Sequence, residues 1–523
     1  MPTAAISPDG AAPATTASAA RERHTSRQVI VILGVFVLSR VLAYAAGLRY
    51  DDRLLHGAYQ LLDVRLLQRD PVASIGYLQS QPPLFNVVTA MVVRLPHAAV
   101  NTTLMIVWHL AGLATALLMF ATLVRLGTNR WLAATFTSVF LLLPETMLVE
   151  SWFFYSEIVM LLVALMLWAL VRFADARSTR HGVVFTAALG ALVLLRSSWH
   201  VLLMVVLIVI VWRILRIPTA RLVAIAAVPL LLVVAWSVKN VVVFDSWSNS
   251  SWLGMNLSYV AHAGVGDRTC RRLEAKGDVS PIACLRAFGK PAVYAGRFHH
   301  IPHYGNRAAD ALFKSTGEPN FNAGLYSAVS AQYQRDSVAL LRHGGVGAIG
   351  RAELAAYTVW AEPGDDLVQL RTDREPIAPY ADWFDRLVLL RPVARGWNDP
   401  ARFTADAGAF PIGNALGSIS YTLLGLFVLA IYGGISGWRR GASPVRCVCA
   451  VGLVVIAYSL VIGNALDYRE NNRFRVEGAP VVLVLGAFGA DRLGRRWVAR
   501  RGAPTSDAAA PSRTELGTSG LAG

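Results

Sequence analysis

Lysine is nearly absent from this 523-residue chain: Lys239, Lys276, Lys290 and Lys314 are the only four. Arginine supplies the rest of a formal net charge of +16, yet charged residues of both signs make up only 16% of the sequence. So low a share argues against a large soluble enzyme. Cysteine is also scarce, with four residues and no CxxC pair, and no His cluster has metal-ligand spacing. No repeat of solenoid period is visible. What dominates is apolar, 55% of the residues, the composition of a polytopic α-helical membrane protein. The excess of Ala, Arg, Val and Gly over Lys is that of a GC-rich bacterial genome.

A crossing of a hydrocarbon core of ~30 Å needs about 20 residues of helix. Apolar windows of roughly that length lie near 28–48, 101–124, 131–149, 153–172, 183–197, 199–215, 221–243, 412–437, 447–466 and 476–491, which predicts about ten transmembrane helices. Joined alternately, they put Arg21, Arg23 and Arg27, Arg125 and Arg130, Arg172, Arg177 and Arg180, Arg213, Arg216 and Arg221, Arg439, Arg440 and Arg446, and the arginines from Arg492 to Arg501 on one side. The positive-inside rule makes that side cytoplasmic. The basic balance is then membrane orientation, and a nucleic-acid partner is not needed to explain it. The protein is expected in the bacterial plasma membrane with its N-terminus in the cytoplasm.

The organisation follows. Residues 1–27, rich in Ala, Pro, Thr and Ser, read as a disordered cytoplasmic tail. Residues 28–244 form a transmembrane module with an outer loop at 49–95, and 28–46 reads as a retained anchor rather than a cleaved signal peptide. Residues 84–95 are too short to cross and read as a surface or re-entrant helix. Residues 245–411, too long for a simple connection, form an extracytoplasmic domain of mixed or mainly helical structure. Cys270 and Cys284 fall there, where an oxidising compartment permits a disulfide. Residues 412–491 close the bundle, and 492–523 are a second cytoplasmic tail.

Polar residues at the outer ends of spans carry the chemistry. Tyr50-Asp51-Asp52 follows the first span, and either acid is a candidate base or substrate ligand; solvated loop residues are the bland alternative. Asp63 is a further candidate in the same loop. In the 144–157 segment Glu145, Glu150 and Glu157 interrupt an apolar run. Glu150 needs a counter-charge there, and Trp152 and Tyr155 suit an interfacial belt. Arg196 and His200, between two spans, could bind an anionic headgroup or simply anchor the interface. Arg473 and Arg475 run against the positive-inside trend. Their guanidinium forks match phosphate oxygens, with Glu470 or Glu477 as the structural alternative. Arg40, inside the first span, lines a cavity or pairs with Glu157.

Three segments together resemble a known family. Outward acids after the first span, Ser80-Gln81-Pro82-Pro83-Leu84-Phe85-Asn86 opening a juxtamembrane helix, and Arg473-Phe474-Arg475 with Pro480 before the last span are similar to the membrane-embedded glycosyltransferase-C superfold. The nearest branch is that of the protein O-mannosyltransferases and lipid A aminoarabinose transferases. Val149-Glu150-Ser151-Trp152-Phe153-Phe154-Tyr155 resembles that family's second acidic element. Gln81 stands where many relatives carry histidine, and Glu477-Gly478 departs from the common proline-bearing form.

The resemblance implies transfer of a sugar from a polyprenyl-phosphate donor to an extracytoplasmic acceptor, with inversion. Asp51 or Asp52 would be the base, Glu150 a second acid, and Arg473 or Arg475 the contact to the donor phosphate. Asp63, Gln81, Tyr155, Arg196 and His200 would line the substrate site. Some members of the family use a divalent cation, which the carboxylates here could hold although no spacing requires it. A transporter or flippase for a lipid-linked or anionic substrate is the competing class, as is a non-catalytic scaffold.

Overall fold

The computed structural model describes residues 14–367, 370–392 and 416–501. These are helical, with no strand among them and only two isolated bridges, Asp51 to Trp152 and Phe313 to Pro319. Helices of seven residues or more are numbered in chain order. They are α1 (Ala14–Ala45), α2 (Leu84–Val92), α3 (His97–Arg125), α4 (Arg130–Leu142), α5 (Pro144–Glu150), α6 (Ser156–Ala176), α7 (Thr179–Leu195), α8 (Val201–Leu215) and α9 (Thr219–Phe244). The remainder are α10 (Leu253–Val265), α11 (Asp267–Lys276), α12 (Gly324–Ala361), α13 (Ala378–Leu387), α14 (Tyr421–Arg440), α15 (Ser443–Ala465), α16 (Asn471–Glu477) and α17 (Ala479–Arg501).

Six of these are long and apolar enough to cross a membrane: α1 from Ser26, α3, α6, α9, α14 and α15. Counting the bent pair α4–α5 as one span makes seven, fewer than the ten expected. The physical reasons differ. Helices α7 and α8 have 17 and 15 residues, roughly 26 and 23 Å of rise, short of the ~30 Å core. The second half of α17 carries Asp491 and five arginines. Parts of both expected tails are helical, residues 14–27 belonging to α1 and 492–501 to α17. Residues 1–13, 393–415 and 502–523 lie outside the described part, and with them the rest of both tails, the end of the 245–411 region and the start of the 412–437 window.

The break between α4 and α5 is written in the sequence. Pro144 lacks an N–H and disfavours helical backbone at Leu143, which is extended (φ −58°, ψ 127°). The two helices bend by 61°. The carbonyls left without intrahelical partners are taken by distant side chains: Arg40 Nη1 donates to Leu141 O (2.5 Å) and the Tyr380 hydroxyl to Leu142 O (2.5 Å). Elsewhere Asn129 caps α4, accepting from the amides of Trp131 (2.9 Å) and Leu132 (3.2 Å).

The bundle packs α6 against α3, α7 and α15, α1 along α4, and α14 along α17. Gly433 and Gly489 lie at the α14–α17 crossing, each against the other helix's backbone, so a side chain at either would separate the pair. The 245–392 region has its own aromatic core of Trp252, Tyr294, Phe321, Tyr326 and Tyr333, built on the α10–α12 pair. Helix α12 kinks at Gly345, whose φ of +62° a side chain would strain. Cys270 and Cys284 are disulfide-bonded, joining α11 to the following turn. Within residues 84–95 the chain forms the nine-residue helix α2 (Leu84–Val92), the short element expected there.

Candidate functional site

One ridge of aromatic side chains, Trp152 to Tyr155, gathers most of the singled-out residues at one end of the bundle. Asp51 pairs with it through the backbone: its amide donates to Ser151 O (2.7 Å) and its carbonyl accepts from the Phe153 amide (2.8 Å). Trp152 stacks on Phe154 (4.5 Å) and Phe154 lies 4.1 Å from Tyr155, centroid to centroid. Phe85, from the Pro-Pro-Leu-Phe segment, packs 5.2 Å from Phe153 and 5.5 Å from Tyr155. On the far side, the Arg473 guanidinium sits 5.0 Å over Phe154 and 5.6 Å from Tyr155, while Arg196 lies 5.5 Å from Tyr155 and 4.2 Å over Phe474. The first loop, the second acidic element and the late arginine segment thus share one surface.

The two loop acids are not equivalent. The Asp51 carboxylate is clamped by Arg53, whose Nε and Nη2 donate at 2.8 Å each and whose amide donates at 2.9 Å. Burial would raise Asp51, but Arg53 outweighs it and holds the acid below its ordinary range. Asp373 joins the same guanidinium, accepting from Arg53 Nη2 at 3.1 Å. It moves the opposite way: burial first, then the Asp51 charge, push it up to about 7. Asp52 is half-buried, and among the described residues no hydrogen bond or ion pair engages its carboxylate. Beside them the Tyr50 hydroxyl is buried without a hydrogen-bond partner. Its pKa is raised by burial, then by Asp52 and Asp51.

Other candidates are occupied. Glu150 is fully buried and held in a two-pronged ion pair by Arg40 (Nε to Oε2 2.8 Å, Nη2 to Oε1 2.5 Å). It lies against Gly112 of α3, where any side chain would displace it. Arg40 therefore pairs with Glu150 rather than with Glu157, whose two oxygens are buried without partners. Every nitrogen of the Arg475 guanidinium is taken: Nη1 and Nη2 bind Glu145 (3.2 and 2.9 Å), Nε donates to Trp360 O (3.1 Å) and Nη2 also to Glu362 O (3.0 Å). The expectation that Arg475 holds a phosphate gives way to an internal ion pair. Asp63 caps the helix at Val64–Arg69 through the Arg65 amide and binds the Ser315 amide (2.6 Å) and hydroxyl (2.7 Å). Exposed His200 accepts from the Leu202 amide at the start of α8. Both side chains cap helix starts. Gln81 is half-buried on a loop clamped by Asn322, whose Oδ1 accepts from the amides of Gln79 (2.8 Å) and Ser80 (3.0 Å).

On the cationic side both arginines, Arg473 and Arg196, are buried in ion pairs. Arg473 pairs with Glu470 (2.5 Å), while its Nε is buried with no hydrogen-bond partner. Arg196 forms an ion pair with Glu477, which also accepts from the Ser156 hydroxyl (2.8 Å). Glu470 thus takes Arg473, as the structural alternative had it, whereas Glu477 takes Arg196 and leaves Arg475 to Glu145. Asp467, in the preceding turn, is pushed up to about 7 by burial and then by Glu470.

Sequence reading missed Arg53 and Asp373. Arg53 adjoins the acid pair and was legible as its natural counter-charge. Asp373 stands 320 positions away from Arg53, and no local pattern could have brought the two together. Among the described residues no three His, Cys, Asp or Glu are grouped so as to hold a metal ion. No family model and no curated protein matches this chain.

Proposed function

We propose that this protein is an integral-membrane glycosyltransferase that moves a sugar from a polyprenyl-phosphate donor to an extracytoplasmic acceptor. The observation that carries this reading is the Asp52 carboxylate, unpaired among the described residues, at the same end of the bundle as the Arg473–Tyr155–Arg196 cluster. An acceptor hydroxyl gives its proton to Asp52 as its oxygen attacks the anomeric carbon. The bond from that carbon to the donor phosphate breaks, and the phosphate leaves with its electron pair toward the guanidinium of Arg473, with Arg196 behind it. One displacement inverts the anomeric centre. General-base assistance contributes roughly 10²–10⁴-fold, and guanidinium stabilisation of a leaving phosphate acts in the same transition state.

The topology belongs to the same proposal. Helices α7, α8 and α17 complete a layout of ten segments, the arginine-rich end faces the cytoplasm of a bacterium, and the 245–411 region lies outside. Asp51, locked by Arg53, shapes the loop instead of accepting the proton, which narrows the choice of base to Asp52.

Incubation of the purified protein with a panel of labelled polyprenyl-phosphate sugars and cell-envelope acceptors tests this. One donor should be consumed, and Asp52→Asn should abolish its consumption while leaving a folded protein. A panel left intact by the wild type removes the reading. The 61° bend between α4 and α5 favours a second one, because broken spans also occur in transporters. Uptake of a lipid-linked substrate into proteoliposomes without its consumption selects that alternative.

A further inference from the structure

We propose that Asp373 is a positioning residue of the candidate site: through Arg53 it locks Asp51 in place, so that Asp52 is the loop carboxylate presented to an acceptor. This rests on the function proposed above for its chemistry, though not for its structural content. Three observations support it. Arg53 Nη2 lies 2.8 Å from Asp51 Oδ2 and 3.1 Å from Asp373 Oδ1, so a single nitrogen bridges the first loop and the 245–392 region. Both acid side chains are only 10% exposed, whereas the Arg53 side chain is 63% exposed. The second oxygen of Asp373 is buried with no hydrogen-bond partner.

One guanidinium facing two buried carboxylates leaves one negative charge in excess. That excess is relieved when Asp373 carries a proton, in agreement with its raised pKa of about 7. Asp51 and Arg53 are the charged groups facing it from the loop. Its sequence neighbour Arg374 is engaged instead with Asp365 (2.5 Å), Asp382 (3.1 Å) and Asp385 (3.8 Å), which fixes the segment without neutralising Asp373. As the pH rises through about 7, Asp373 ionises, the two carboxylates repel across Arg53, and the loop that orients Asp52 loosens.

Amide hydrogen exchange over residues 49–57, measured on the full protein in lipid nanodiscs at pH 6 and pH 8, tests this without reference to any substrate. The wild type should exchange faster at pH 8 by more than the intrinsic rate change. Asp373→Asn, which mimics the protonated acid, should keep the loop protected at both pH values. Asp373→Ala should lose protection at both, about tenfold. Wild-type-like protection and pH response in Asp373→Ala would overturn the proposal, as would loss of protection in Asp373→Asn equal to that in Asp373→Ala. In a transfer assay, Asp373→Ala should lower kcat about tenfold with the donor KM little changed, and Asp373→Asn should remove the alkaline fall in rate. A loop that responds as expected in a wild type that consumes no donor would sink the glycosyltransferase reading and leave the role of Asp373 intact.

Discussion

At the scale of single residues, partner choice separates structural from chemical side chains. Glu150 and Arg475 carry the residue types that chemistry would use, but each is buried in a two-pronged ion pair. Removing one member of such a pair leaves an uncompensated buried charge, at about 3–5 kcal/mol. Arg40→Ala is therefore expected to lower the unfolding midpoint sharply, and replacing Arg40 and Glu150 together by methionine should restore much of it. A midpoint unchanged in Arg40→Ala would contradict the pairing. Asp63 of the outer loop and Asp373 of the 245–392 region respond to pH with opposite signs. Burial would raise Asp63, but the Ser315 and Arg65 donors hold it low, so its contribution is present above the ordinary aspartate pKa of about 4. That contribution is lost as the pH falls through the lower folded value. Asp373, raised to about 7, costs the folded state progressively between about pH 4 and 7 as the pH rises. Limited proteolysis of the outer loop across pH, with Asp63→Asn as control, should show an acid-side opening that the variant lacks.

At the scale of elements, the α4–α5 break is the device that delivers Glu150 to Arg40 and exposes two carbonyls to side chains from elsewhere. Tyr380→Phe leaves Leu142 O without its donor and should cost about 1–2 kcal/mol, read as a lower midpoint with the fold retained. Wild-type stability in this variant would show that the hydroxyl contributes nothing there. The Cys270–Cys284 bridge closes a short loop between α11 and the turn after it, worth about 3 kcal/mol in the chain-entropy view. Its reduction should speed hydrogen exchange across residues 267–285 while exchange in α6 stays slow, because the two lie in separate cores. The Pro82-Pro83 segment owes its position to Asn322 and to Asn86, whose Oδ1 accepts from the Leu62 amide (2.8 Å).

At the scale of the molecule, the site lies where the bundle meets the 245–392 region. Lys314 reaches the Ala58 carbonyl (2.7 Å), Asn322 clamps the proline loop and Arg53 reaches Asp373. The opposite ends of the helices carry a second set of arginines, among them Arg125, Arg177, Arg495 and Arg496. A cysteine placed at Tyr59, half exposed near the site, and one at exposed Trp497 should react with a membrane-impermeant maleimide from opposite sides of intact cells. The native cysteines will not interfere, since Cys447 and Cys449 are buried and the other two are bonded. Labelling of both positions from one side would remove the proposed orientation.

The 131–149 window read as one span across the break that Pro144 makes, whereas apolar periodicity and arginine placement act over a turn or two of helix, so the helical membrane class was readable from the chain alone. The same holds for the neighbourhood of acids and arginines, because polar residues in an apolar run stand out wherever they fall. Span count was less legible, since window hydropathy does not register where a helix stops. Which acid is free and which is locked was decided only by the fold. Arg40 meets Glu150 across 110 positions, Arg475 meets Glu145 across 330, and Arg53 meets Asp373 across 320. Ion pairing depends on distance in space, and separation along the chain carries no trace of it.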